Sequence, residues 1–534
     1  MAMTVAQAGK QFSERVSSAY LWPRLPWVII GFGILVRLLQ YLRGKELWVD
    51  EAALALNIGN RSFAELLQPL DFITGAPVGF LMLVKLATEV LGNNEFSLRL
   101  FPLLAGIGSL LIFYAVAKHY LTPRAIPVAL TVFATSTSLV RFSSFLKQYS
   151  VDVFAALLML LLTVYMVRSG LSNRWLMLYA LAGALLVWFS HPIALVLAGF
   201  GLVLGISSLR QSDWRKVFGL AVVSAIWLAS FIVSYQATPT GELVNIGIAE
   251  HLDEANNAFV PSNPFSFEAA RWFTTTLFGL FYVPVGIYLT GLAALTFILG
   301  CMSCYSTNKN RFFLLVSPLV ITMVVSAAHL YPFQDRWILF LVPFAIIFIA
   351  QGAISIYDKT RRSYPALGVL VVALLLLHPL ASEAFRLVEP RGSDEVRTVM
   401  GYVSSHRTEG DVVYVYHGAR KSFWYYADRY GFEPQEHIVG VSGGGAGLKY
   451  RDLNNFTADL DQLRGNERVW LLFSNVQKTV SPIDLTNGIN EEQFMVYYLD
   501  NMGTRKDQFR IRGSSVYLYD LSSESVTAVQ TPSP

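Results

Sequence analysis

The sequence predicts a mainly α-helical membrane protein of about eleven crossing helices that ends in a small α/β domain. Three observations carry that expectation. Of 534 residues, 54% are hydrophobic and 15% charged, where soluble domains carry about 25% charged residues. The apolar residues gather into blocks of about 20, the length that crosses a bilayer. Past residue 385 those blocks stop, charges rise, and Gly and Pro punctuate short segments. Length alone would predict three or four soluble domains; the apolar blocks overrule it for residues 1–385, leaving 386–534 as a second domain. The net charge of +4 is scattered and gives no argument for nucleic acid. Two cysteines, Cys301 and Cys304, make no disulfide framework.

The first block, Pro26–Leu42, follows Lys10, Arg15 and Arg24 and has no small-residue cleavage site after it, so it reads as a retained helix. The further crossing segments are 98–119, 124–143, 151–168, 175–191, 193–209, 216–235, 278–301, 312–330, 336–356 and 364–385. The block 76–91 is apolar but carries Lys85 and Glu89. Charge decides its placement, because cytoplasmic loops are rich in Lys and Arg. If 76–91 does not cross and the N-terminus is cytoplasmic, five loops face the cytoplasm. They hold Lys118/Arg124, Arg168/Arg174, Arg210/Arg215/Lys216, Lys309/Arg311 and Lys359/Arg361/Arg362, opposed only by Asp213 and Asp358. The segment is therefore expected to lie in the outer interface or to re-enter the membrane, with a twelfth span as the alternative. Residues 43–97, 144–150, 236–270, 331–335 and the tail are then expected outside the cytoplasm.

In the tail, Asp411–His417, His437–Val441 and Arg468–Phe473 read as strands. Lys421–Tyr430, Phe456–Leu463 and Glu491–Asn501 read as helices, and Gln508–Arg512 with Ser515–Asp520 as a closing hairpin. Strands alternating with helices predict a mainly parallel sheet.

Residues able to do chemistry gather in the expected outer loops. Trp48-Val-Asp50-Glu51 follows the first span; a carboxylate at the membrane surface acts as a general base, holds a cation or is merely solvated. Arg141 and Lys147-Gln148-Tyr149-Ser150-Val151-Asp152 follow the third. The two cations suit an anionic group, and Asp152 suits a helix N-terminus. His191 lies between two spans, as ligand, base or satisfied polar residue. Tyr331 and Arg336 flank the shortest outer loop, where a guanidinium either snorkels or grips phosphate. His251, Asp253 and Glu254 read as solvated. Cys301-Met-Ser-Cys304 lacks a second pair for zinc, and Ser442–Gly447 lacks the ending of a phosphate loop.

The order of these pieces resembles a known superfamily. One span is followed by a W-x-D-E loop, the amphipathic segment 76–91, Glu95-Phe96-Ser97-Leu98-Arg99-Leu100 and then Gln148-Tyr149-Ser150-Val151-Asp152. It is similar to GT-C glycosyltransferases of the protein O-mannosyltransferase and aminoarabinose-to-lipid-A transferase type. The resemblance implies an inverting membrane glycosyltransferase of the cell envelope, in the plasma (inner) membrane, with its C-terminal domain extracytoplasmic. It would move a hexosyl or pentosyl group from polyprenyl phosphate to a lipid, glycan or protein. It implies catalytic roles for Asp50, Glu51 and Asp152, and donor-phosphate contacts for Arg336, Lys147 and Arg141. Acceptor or ligand contacts would come from His191, Tyr149, Gln148 and Tyr331. No cofactor is implied with certainty, and a divalent metal stays open. Thr74-Gly75-Ala76-Pro77 departs from the His-Pro-Pro or Glu-Lys-Pro of many relatives, so a metal or phosphate contact there lacks its residues. The rival expectations are a transporter or flippase of lipid-linked sugars, or a non-catalytic assembly subunit.

Overall fold

The computed structural model describes residues 23–72, 74–238, 258–261, 263–388, 395–433, 437–440, 453–476 and 490–522. His251, Asp253, Glu254 and Ser442–Gly447 lie outside these residues. Among the described residues, nine helices are long and apolar enough to cross a membrane. They are Leu25–Leu42, Glu95–Tyr120, Tyr149–Arg168, Ile193–Arg210, Trp214–Ala237, Thr290–Thr307, Lys309–Ala327, Asp335–Thr360 and Pro365–Val388. The chain is a multi-pass membrane protein.

Three expected spans take other forms. The 124–143 block breaks at Ser136 into Ala125–Thr135 and Thr137–Phe142. The break leaves helical carbonyls without partners, and buried Arg37 uses them: its guanidinium donates to Ala134 O (3.2 Å) and Phe133 O (3.4 Å). A cation in the first span is thereby satisfied inside the bundle. The 175–191 block is a helix only over Asn173–Leu186, 14 residues. The 278–301 block is not one span. Helix Phe267–Tyr282 ends there, and Thr290–Thr307 begins after a break holding Pro284, which has no N–H to give a helix, and Gly286 at φ +95°. Residues 76–91 form helix Val78–Leu91, whose 14 residues span about 21 Å, short of the ~30 Å hydrocarbon core.

Helices Thr290–Thr307 and Val342–Thr360 cross at backbone contact. A Cβ on Gly300 would overlap the Phe348 carbonyl, and one on Gly352 the Thr296 carbonyl. Small residues allow this approach where lipid supplies no hydrophobic drive between helices.

The C-terminal region forms a five-stranded sheet: β1 (Val412–Val415), β2 (His437–Val439), β3 (Val469–Ser474), β4 (Thr504–Ile511) and β5 (Ser514–Asp520). The order is β2-β1-β3-β5-β4. β1 runs parallel to β2 and β3, while β5 is antiparallel to β3 and β4. The sheet is therefore mixed rather than mainly parallel, because the closing hairpin supplies both antiparallel pairings. Strand alternation splits its side chains. Val413, Val415, Trp470 and Leu472 share a core with Val396, Phe423 and Tyr426 and with Leu47, Ala52, Phe80 and Leu98 of the helical region. Tyr414, Leu471 and Phe473 face the other way, toward helices Leu453–Asp461 and Glu491–Met502.

Charged contacts reinforce that shared core. Glu95 opens helix Glu95–Tyr120 above its cap, where the Asn94 side chain accepts from Phe96 N and Ser97 N. Its buried carboxylate meets Arg397 (3.2 Å) and Arg429 (3.1 Å) of the sheet domain. Glu46 accepts from Arg397 N (3.0 Å), and Tyr426 Oη accepts from Leu47 N (2.9 Å). Glu95→Ala leaves Arg429 without its carboxylate and Arg397 with Glu46 alone. The expected loss is ~2 kcal/mol, since one partner is buried and the others are partly hydrated. It is read as a lower midpoint of thermal unfolding in detergent; an unchanged midpoint would assign the docking to the apolar core alone.

Candidate functional site

The turn before helix Val49–Asn60 is built around Glu51. Its carboxylate accepts from Trp48 N (3.0 Å), closing the first helical turn. Arg99 clamps it bidentately, with Nε to Oε1 and a terminal nitrogen to Oε2, both at 2.8 Å. Leu146 N donates to Oε1 (2.7 Å). Both side chains are buried, 2% exposed for Glu51 and 6% for Arg99. Arg99 also reaches Lys45 O (2.6 Å) and Glu46 O (3.0 Å). Glu51 thus ties together the first loop, helix Glu95–Tyr120 and the segment preceding Lys147. Its oxygens are consumed by these bonds, which suits a positioning role.

Asp50, one residue earlier, points the other way. Its carboxylate is 40% exposed and 3.1 Å from the Arg336 guanidinium. Arg336 enters on the turn Asp335–Leu341, after Asp335 at φ +37°, a left-handed conformation that Asp tolerates better than most residues. The guanidinium lies 6.0 Å over the Tyr149 ring. Tyr331 Oη donates to Trp337 O (2.6 Å) and so pins this turn. Burial pushes the Tyr331 hydroxyl well above its ordinary pKa, keeping it a neutral donor.

Lys147 completes the group. Its ammonium donates to Thr74 Oγ1 (2.8 Å) and is held to about 8 by burial, against the pull of Asp50, which raises it. Lys421 comes from the sheet domain, on helix Arg420–Tyr426, and donates to Phe72 O (3.4 Å). Burial lowers its pKa as well, and Asp50 again opposes the shift. One partly exposed carboxylate therefore faces three cations from distant parts of the chain. Such a site can take a proton at Asp50 and hold an anion on the cations.

Asp152 lies in the first turn of helix Tyr149–Arg168, 3% exposed. Its carboxyl is buried beside the Ser190 hydroxyl, which acts on it as a donor, and Gln148 Oε1 is buried without a hydrogen-bond partner among the described residues. Asp152 and Tyr149 both act electrostatically on Tyr331, so this group adjoins the Arg336 turn. Two expected residues sit elsewhere. Arg141 faces a cavity behind the Trp48–Glu51 turn. His191 contacts Thr238 Oγ1 (3.2 Å) between the Phe231 and Tyr235 rings, and burial lowers its pKa to about 4, so it is neutral at pH 7. Among the described residues, no three His, Cys, Asp or Glu side chains gather as metal ligands. Sequence reasoning did not find Thr74, Lys421 or the role of Arg99. Arg99 stood inside the quoted E-F-S-L-R-L segment; Lys421 carried no local signal.

The family described as dolichyl-phosphate-mannose-protein mannosyltransferase matches residues 75–235. No curated protein matches the sequence significantly. The chain is similar in structure to the oligosaccharyltransferase of Archaeoglobus fulgidus tethered with an acceptor peptide, at TM-score 0.50 and 10% identity over 85% of this chain and 70% of that one. It is similar to the archaeal oligosaccharyltransferase AglB of the same organism, in complex with an inhibitory peptide and a dolichol-phosphate. There the TM-score is 0.50 and the identity 12%, over 95% and 75% of the two chains. ArnT from Cupriavidus metallidurans bound to undecaprenyl phosphate gives 0.49 and 12%, over 92% and 97%.

Lys147 provides a direct test of the cluster. With ¹³C-methylated lysines, its resonance, assigned by Lys147→Arg, is expected to titrate near 8. Asp50→Asn removes the charge that raises it, so the midpoint falls further. Charged Lys147 costs stability below that midpoint. The cost is relieved as pH rises from about 8 to the ordinary 10.5. A midpoint unmoved by Asp50→Asn would separate Lys147 from the site.

Proposed function

We propose that this membrane protein of the GT-C glycosyltransferase superfamily moves a sugar from a polyprenyl-phosphate donor to an acceptor hydroxyl outside the cytoplasm. The carrying observation is the Asp50–Arg336 pair with Lys147 and Lys421 beside it, at the end of the helix bundle that packs on the sheet domain. The family matched over 75–235 is named for a dolichyl-phosphate sugar donor, which supports the donor class.

In this reading Asp50 takes the proton from the acceptor hydroxyl as its oxygen bonds to the anomeric carbon. The bond from that carbon to the phosphate oxygen breaks, and its electron pair leaves with the lipid phosphate. A single displacement of this kind inverts the anomeric centre. Arg336 and Lys147 hold the phosphate as charge develops on it, the step where positioned cations contribute most. Lys421 adds a third cation and makes the sheet domain part of the site. Glu51 positions Asp50 without meeting substrate. Asp152, buried in the first turn of its helix, offers a carboxyl oxygen to a sugar hydroxyl. Tyr149 and Gln148 lie on the same turn as contacts for sugar or acceptor. His191, neutral and caged, is assigned no step, and no step passes through a metal. The acceptor is a lipid, glycan or protein. In this reading, which the basic loops support, the N-terminus lies in the cytoplasm and the sheet domain on the far side of the inner membrane. Charges gathered at one end of the bundle favour an interfacial enzyme over a transport path.

The test is release of free polyprenyl phosphate by purified protein given polyprenyl-phosphate sugars and acceptor. Asp50→Asn is expected to slow turnover about 10²- to 10⁴-fold, and Arg336→Gln about 10²-fold or more. Unchanged turnover in Asp50→Asn would overturn the assignment of the base. Transport of lipid or ion without any turnover would overturn the enzyme.

A further inference from the structure

Behind the Trp48–Glu51 turn lies a cavity of about 350 Å³. Six cationic side chains face it: Arg43, Lys45, Arg99, Arg141, Arg386 and Arg512. They come from the end of the first span, the following loop, helix Glu95–Tyr120, the Thr137–Phe142 helix, the last span and the β4–β5 turn. Among the described residues the wall holds two carboxylates, Glu46 and Glu51, and both are engaged. Glu51 is held by Arg99, and Glu46 by Arg397 at the docking contact. Arg386 is paired with Glu383, 3.3 Å away. Arg43 donates to the carbonyls of Arg386 and Leu387, both at 3.0 Å, which fixes its position and leaves its charge. Arg141 lies beside the rings of Phe142 and Phe145. Arg43 shares Glu383 with Arg386, while Arg141 and Arg512 bring charge that neither wall carboxylate answers. The crowding is felt at Lys45, whose ammonium is lowered to about 8 by burial first and then by Arg43, Arg386, Arg99 and Arg141. Like charges gathered around a partly enclosed cavity are unfavourable until an anion enters.

We infer that this cavity binds a phosphate-bearing ligand, at a site separate from the Asp50–Arg336–Lys147 cluster. Guanidiniums suit that ligand because their donor forks match phosphate oxygens. Arg43 and Arg386 stand at the ends of two membrane helices, where a lipid headgroup lies. The Trp48–Glu51 turn is the wall shared with the Asp50 side. The site does not rest on the transferase reading.

The experiment measures binding by the full-length protein, not turnover. Inorganic pyrophosphate is titrated calorimetrically into protein in phosphatidylcholine nanodiscs. In parallel, retention of phosphatidic acid over phosphatidylcholine is measured by mass spectrometry. The site requires saturable binding in at least one arm. Phosphatidic acid alone identifies a lipid headgroup, and pyrophosphate alone a soluble phosphate. Arg141→Gln with Arg512→Gln is expected to weaken binding about tenfold or more. The Arg141→Lys, Arg512→Lys pair, which keeps the charge, should retain most of it. Asp50→Asn and Lys147→Gln should leave it unchanged, even where transfer is lost. Three results would overturn the inference: no binding in either arm, wild-type affinity in the glutamine pair, or binding that falls with Lys147→Gln instead.

Discussion

The Glu51–Arg99 ion pair is the contact on which the site depends. It is bidentate, both members are buried, and each oxygen of Glu51 has a second donor from the backbone. A buried ion pair contributes little net stability unless its remaining hydrogen-bonding positions are filled. Here they are filled by groups from three segments, so the pair fixes geometry. Asp50 precedes Glu51, and Lys147 follows Leu146. One carboxylate therefore aims the candidate base and places a candidate phosphate ligand. It also divides two electrostatic environments, Asp50 and its three cations on one side and the arginine-lined cavity on the other.

The sheet domain belongs to the same construction. Arg397 and Arg429 bind the buried acids Glu46 and Glu95, and Tyr426 Oη accepts from Leu47 N. Those contacts hold the loop that runs from the first span to Asp50. The same domain brings Lys421 toward Asp50 and Arg512 to the second cavity. A site at the meeting of membrane and water needs apolar walls for a lipid chain and polar access for a hydroxyl. In the proposed reading the bundle end would supply the first and the sheet domain the second.

Much of this was legible because charge is costly in a membrane. Asp50, Lys147 and Arg336 stood out as ionisable residues at the ends of apolar runs, and Tyr149 lay within the quoted cluster. The structure brings these four together. The basic loops argued that 76–91 does not cross, and the helix there has only 14 residues. Other features had no local trace. Lys421 reaches Asp50 across some 370 residues of sequence, and Thr74 was noted only for departing from a motif. Arg141 resembled Lys147 in sequence, but a turn sends it to the other side of Glu51. The break after Tyr282 was hidden by apolar flanks, although Pro284 and Gly286 marked it. Ser136 lies in a short Thr-Ser-Thr-Ser run inside an apolar block, and Arg37, on another helix, uses the carbonyls that the break frees. The sheet was misread as mainly parallel because strand-helix alternation dominates the tail, while the hairpin alone sets both antiparallel pairings.

The most direct measurement is a double-mutant cycle on polyprenyl-phosphate release, with Glu51→Gln, Arg99→Gln and the double variant, each confirmed folded by thermal unfolding. If the pair acts as one positioning device, each single substitution loses most of the activity and the double loses no more than either. Losses that simply add, or a Glu51→Gln enzyme turning over at the wild-type rate, would contradict the account.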